Sequence, residues 1–196
     1  MLPRSAVTTL VAALLAGCTI SRVTDPPRTA TEELLISTAA DRAADNLQVK
    51  IPHGTRVFVD TSQFAGTDDK YALGAITEHI LRAGGRLVAD RSKADWVLLP
   101  RAGALSIDKK QMLVGIPSFA VPVPLMGTLS LPELALFSED VTRGTAKFAV
   151  VGYDANGGDL VAISGPSFGF SHKTHYVVML AASWDANDIL PKKVKR

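Results

Sequence analysis

Helical spacing, strand alternation and one aperiodic run organise the hydrophobic positions of this chain. From Thr29 the spacing is helical. Leu35, Ala39, Arg42 and Ala43 fall along one face, Leu34 and Leu47 add apolar area, and Thr29-Ala30-Thr31-Glu32 fits a capping box. The narrow, alanine-rich face predicts a helix to Asn46 that packs closely on another element, and Pro52-His53-Gly54 breaks the chain after it. Helical spacing returns at Tyr71, Ala72, Ala75, Ile76, His79, Ile80 and Ala83. Thr67 or Asp68 stands where a cap is needed, and Gly84-Gly85 supplies a left-handed stop.

The remaining apolar segments are short or alternate. Arg56–Asp60 and Arg86–Ala89 read as short strands flanking the second helix, paired either in parallel or as a hairpin. Trp96–Asp108 reads as a long extended segment, Lys109-Lys110 as a turn and Met112–Ile116 as the return. Glu133–Val141 and Thr145–Asp154 follow as strands joined around Arg143-Gly144. Asn156-Gly157 is a tight-turn signal, and Leu160–Ser164 and Tyr176–Trp184 complete the set. The expectation is one α+β domain over residues 29–191. In it two main helices pack on a mixed, mostly antiparallel sheet of about six or seven strands.

Leu113–Leu131 contains no charged residue. Its length suits a membrane-spanning helix, but Pro117, Pro122, Pro124 and Pro132 interrupt it, each removing a helix donor at about 3 kcal/mol. Two readings stay open. It is an apolar loop folded over the domain's own core, or it is a contact surface, carried by Ile116, Phe119, Val121, Leu125 and Met126, for another subunit, a partner or a lipid interface.

The apolar run Val7–Ala16 follows Arg4 and is about ten residues long, half of what a spanning helix needs. A charged start, a short apolar middle and small residues at the end describe a secretory signal peptide over residues 1–17. Leu15-Ala16-Gly17-Cys18 resembles the bacterial lipobox. That resemblance implies peptidase recognition of Leu15, Ala16 and Gly17, a diacylglycerol on the Cys18 thiol, and cleavage before it. Thr19, rather than Asp, follows the cysteine, which by the same resemblance favours the outer membrane. Residues 18–28 read as a tether, and residues 192–196 as a basic tail that is solvated or touches anionic head groups.

Composition narrows the partners. The formal charge is +2 and the mature chain loses Arg4, so nothing points to nucleic acid. Cys18 is the only cysteine, which excludes a disulfide framework. Gly165-Pro166-Ser167-Phe168-Gly169 has the letters of a hydrolase elbow. However, no helix pattern follows it, and no acid lies between Ser167 and His172 or His175, so a glycine-rich bulge or bend is expected. His172 and His175 lie three apart in a strand-like stretch and would point to opposite faces, which argues against a metal pair and makes His172 a hydrogen-bonding residue at a strand bend. The Asp154–Asp159 run lacks the acidic twelfth position of a calcium loop. Asp60 and Asp68-Asp69 read as turn and cap residues, and His79 as a helix-face boundary residue. No catalytic group, cofactor or metal is expected.

Five stretches resemble an uncharacterised family of bacterial lipoproteins. They are Tyr71–Ile76, Arg101–Ser106, Val114–Ser118, Pro132–Leu136 and Gly169–Thr174. A weaker likeness is to curli-secretion lipoproteins and related periplasmic domains, through the strand–helix–strand unit, Ala94–Leu98 and a late antiparallel meander. These resemblances imply a non-enzymatic envelope lipoprotein facing the periplasm, attached through its N-terminal lipid, that supports assembly or transport through an envelope partner or self-association. The alternative is a small-ligand or lipid-binding module of the envelope.

Overall fold

The computed structural model describes residues 28–66, 68–123, 127–179 and 182–190. The first helix, α1, runs Ala30–Asp45 behind a complete capping box. The Glu32 amide donates to the Thr29 hydroxyl, and the Thr29 amide donates to the Glu32 carboxylate. Helix α1 buries Leu35, Ile36, Ala39, Ala40, Ala43 and Ala44, a wider face than the spacing first suggests. Strand β1 (Arg56–Val59), helix α2 (Asp69–Arg82) and strand β2 (Arg86–Leu87) form the next unit. Ala72, Ile76 and Ile80 are the buried stripe of α2, which stops at Gly84 with φ +104°. Strand β2 pairs with β1 in parallel, so the unit is a crossover and not a hairpin.

A 3-10 turn at Arg91–Lys93 leads into β3 (Trp96–Ile116). Strand β3 pairs in parallel with β1 and antiparallel with β6 (Leu134–Asp154). Beyond β6 come β7 (Leu160–Val178) and β8 (Ala182–Asn187), each antiparallel to its neighbour. The sheet order is β2-β1-β3-β6-β7-β8, and β4 (Phe119–Val123) and β5 (Gly127–Leu131) form a separate two-stranded ladder. The fold is therefore α+β, as expected, but the sheet dominates and the hairpin is an addition to it.

Two expected turns are absent. Lys109-Lys110 and Arg143-Gly144 lie inside an unbroken ladder, where Lys109 faces Thr142 and Ile107 faces Gly144. The charges are tolerated because strand side chains alternate between faces and the ladder is solvated there. Gly144 is small for a different reason. A Cβ on it would lie 2.4 Å from the Leu35 carbonyl oxygen of α1, so the glycine admits the helix. Gly169 on β7 does the same, with a Cβ 1.9 Å from the Ala39 carbonyl oxygen. Leu160–Ser164 and Tyr176–Val178 are thus two ends of one strand whose glycine-rich middle is a docking surface. The chain turns at Met179, and Ala182–Trp184 belong to β8, not to a strand begun at Tyr176.

The core lies between the two helices and one face of the sheet. Phe148, Leu35, Ile76, Ile80, Leu98 and Val57 are fully buried in it, and Phe64 packs its ring 5.6 Å from Phe148. Strands β3 and β6 each have 21 residues, and α1 has 16. At about 3.3 Å per strand residue against 1.5 Å per helical residue, the strands are roughly three times longer than the helix that covers them. The far end of the ladder therefore continues past the core.

Candidate functional site

The ladder leaves the body at a ring of charges. On the helix side, Lys109 Nζ lies 2.7 Å from Glu32 Oε1, which places the start of α1 at this level of β3. The Lys109 ammonium, and then the Thr29 amide, hold the Glu32 carboxyl down at about 2. Thr29, Glu32, Lys109, Asp140, Lys173 and His175 surround a hollow of about 310 Å³. Next to it Asp185 of β8 accepts from His175 Nδ1 at 2.6 Å and lies 3.4 Å from Lys173 Nζ, contacts that keep its carboxyl below the usual range. On the opposite face Asp108, Lys110, Met112, Glu139, Val141 and Arg143 line a second hollow of about 370 Å³.

Beyond this ring the chemistry changes. No Lys or Arg occurs from Gln111 to Thr142, and the stretch Leu113–Leu131 is uncharged. Pairs of large apolar residues alternate with pairs of small ones. Val114 faces Phe137 and Ile116 faces Leu134, with Gly115 and Ala135 between them. In the β4–β5 ladder Phe119 faces Leu131 and Val121 faces Leu129, while Ala120 faces Ser130 and Pro122 faces Thr128. Directly opposed residues share a face, so the β4–β5 ladder has one apolar and one small-residue face. The apolar side chains are open to solvent, with Ile116 52 %, Phe119 47 %, Val121 38 % and Leu129 56 % exposed.

This overturns the loop reading of Leu113–Leu131. The stretch does not fold over the core; it forms an exposed β-arm. Of the sequence-nominated contact residues, the structure places Ile116, Phe119 and Val121 on that arm, while Leu125 and Met126 lie outside the described residues. Leu15, Ala16, Gly17 and Cys18 also lie outside them, as does the 192–196 tail. Sequence reading missed Val114, Leu129, Leu131 and Leu134. The signal was there in the strict alternation of Gly127–Leu131, but it was read only as part of an uncharged block.

The nominated chemical residues are occupied structurally. Ser167 is buried, and its hydroxyl donates to the Phe148 carbonyl at 3.4 Å beside a register shift, the expected bulge. His172 sits opposite Arg143 in mid-strand, not at a bend. Its amide donates to Asp188, its Nδ1 lies 3.1 Å from the same carboxylate, and Arg42 of α1 reaches that carboxylate at 2.6 Å. Asp154 accepts from the Asn156 and Gly157 amides, closing the turn between β6 and β7. Asp60 accepts from the Ser62 amide, the Ser62 side chain and then that amide hold its carboxyl below the usual carboxylate range, and His79 is half-buried on α2. Among the described residues, no group of three His, Cys, Asp or Glu side chains gathers as metal ligands would.

A sheet-dominated α+β body that carries one apolar β-arm without Lys or Arg is the class that fold and site define. The chain belongs to a family of unknown function (DUF6655), whose match runs over residues 12–192 and so takes in both body and arm. A comparison with curated proteins gives no match.

Proposed function

We propose that this protein is a lipoprotein of the bacterial envelope. It is anchored through a lipid on Cys18 and faces the periplasm from the outer membrane. Its role is non-enzymatic support of envelope assembly or transport, and the weaker likeness to curli-secretion lipoproteins points the same way. The observation that carries this reading is one of placement. The chain that leads back to Cys18 departs at Arg28-Thr29, beside Lys109, at the root of the exposed arm. The described residues nearest Cys18 and the exposed arm thus share one end of the molecule, as suits a body held at a membrane and presenting a surface there. The side chains offered as catalysts serve structural contacts, which fits a non-enzymatic role.

Mass analysis of the protein isolated from its native membranes tests this. The expected product begins at Cys18 and carries a diacylglycerol and an amide-linked acyl chain. An unmodified thiol, or a retained leader on a soluble species, overturns the proposal. The ligand-binding alternative has one feature in its favour, a hollow of about 790 Å³ between the starts of α1 and α2, lined in part by Leu34, Ser37, Asp68 and Tyr71. Lipid or metabolite retained by the delipidated protein in native mass spectrometry would move the reading there.

A further inference from the structure

We infer that the β4–β5 hairpin is a second, non-covalent membrane contact, which inserts the side chains of Phe119, Val121, Leu129 and Leu131 into the neutral, hydrocarbon-facing part of a lipid bilayer. The inference deepens the lipid-anchor reading and rests on it for the membrane's proximity.

Distance, face chemistry and edge chemistry converge on lipid as the occupant. Cys18 precedes Arg28 by ten residues, a span of at most about 35 Å when extended. From Gln111 to Val123 the arm runs about 40 Å at strand rise. Because the tether starts at the arm's root, a bilayer holding the Cys18 lipid lies within reach of the arm's tip. The hairpin is two-faced, with large apolar pairs on one side and Ala120, Ser130, Pro122 and Thr128 on the other. Such a ribbon can sink its apolar face into the interface while its small, polar face and its backbone edges stay hydrated.

A second copy is the weaker occupant. Pro122 lies within β4 and offers no amide, and proline in a strand is a device that discourages edge-to-edge pairing. The absence of any Lys or Arg from Gln111 to Thr142 also fixes the kind of lipid contact. Attraction to anionic head groups cannot contribute there, so the interaction is hydrophobic, indifferent to salt, and met by zwitterionic lipid.

The test uses residues 18–196 with Cys18→Ser, which carries no lipid, and vesicles of pure phosphatidylcholine. The protein is expected to float with the vesicles equally at low and high salt. The double substitution Phe119→Asp with Leu129→Asp is expected to lower the bound fraction at least tenfold, with unchanged circular dichroism and melting temperature. Because Cys18 is the chain's only cysteine, Val121→Cys in the same background gives a unique site for an environment-sensitive dye. Its emission should shift to the blue on vesicle addition and be quenched by lipid-attached quenchers. Three results overturn the inference: no flotation on neutral vesicles, flotation that requires anionic lipid and vanishes in salt, or flotation untouched by the aspartates. A soluble dimer that the aspartates dissociate would assign the face to a second copy and overturn it as well. Because no lipid modification enters these measurements, a failure here is distinct from finding Cys18 unmodified.

Discussion

The same two strands lead different lives at their two ends. Near the body, β6 presents Gly144, Ala146, Phe148 and Val150 to the helices, and Ala146, Phe148 and Val150 are almost wholly buried. Past Glu139 it presents Phe137, Leu136 and Leu134, and Leu134 and Leu136 are 47 % and 62 % exposed. Hydrophobicity is similar in both halves; what differs is whether a helix covers it. Burial against α1 and α2 is therefore the source of the body's stability, while the arm's apolar surface stays open to solvent and contributes little to folding.

Substitutions can sharpen or break that contrast. The largest effect belongs to Phe148→Ala, which empties the centre of the core and should cost about 3–5 kcal/mol in urea unfolding. A loss under 1 kcal/mol, where about 3 is expected, would mean the core is elsewhere. Gly169→Val places side-chain atoms where the α1 backbone passes and should cost about 1–3 kcal/mol or more by the same measurement, with α1 displaced from β7. Ser171→Ala deletes a buried hydroxyl that donates to the Leu35 carbonyl at 2.6 Å, and should cost about 1–2 kcal/mol.

The charged ring between body and arm should respond to acid. The folded Glu32 carboxyl lies at about 2, below its ordinary 4.5. Its ion pair therefore contributes stability that is complete above the ordinary value and is lost as pH falls through 4.5 toward 2. The pair is solvent-accessible, so the contribution should stay below about 1 kcal/mol and shrink in salt. Glu32→Gln should flatten that part of the stability profile between neutral pH and about pH 3, read from urea midpoints. The smallest effect is predicted for the arm, where Phe119→Ala or Leu129→Ala should change unfolding by less than about 0.5 kcal/mol. A larger loss at either position would show that the arm packs on the body after all.

Local chemistry made much of the body legible. The capping box at Thr29, the glycine stop at Gly84 and the Asn156-Gly157 turn each act within a few residues, so sequence alone exposes them. The long strands were legible only in pieces. Gly144, Gly169 and Ser171 carry turn-like letters, yet their small size serves a helix that packs from more than a hundred residues away. Lys109-Lys110 read as a turn because its neutralising partner, Glu32, lies on a distant element. The exposure of the arm's residues depends on where α1 begins, which the pattern of Leu113–Leu131 does not encode.

The nested pairing of β3 with β6 has a consequence for how the molecule assembles. Partners lie a few positions apart at Val123 and Gly127 but are widely separated at Trp96 and Asp154. Short loops close at the least entropic cost, so the zipper is expected to start at the tip and run toward the body. The polypeptide would then form its uncharged ribbon before the helices have a sheet to dock on.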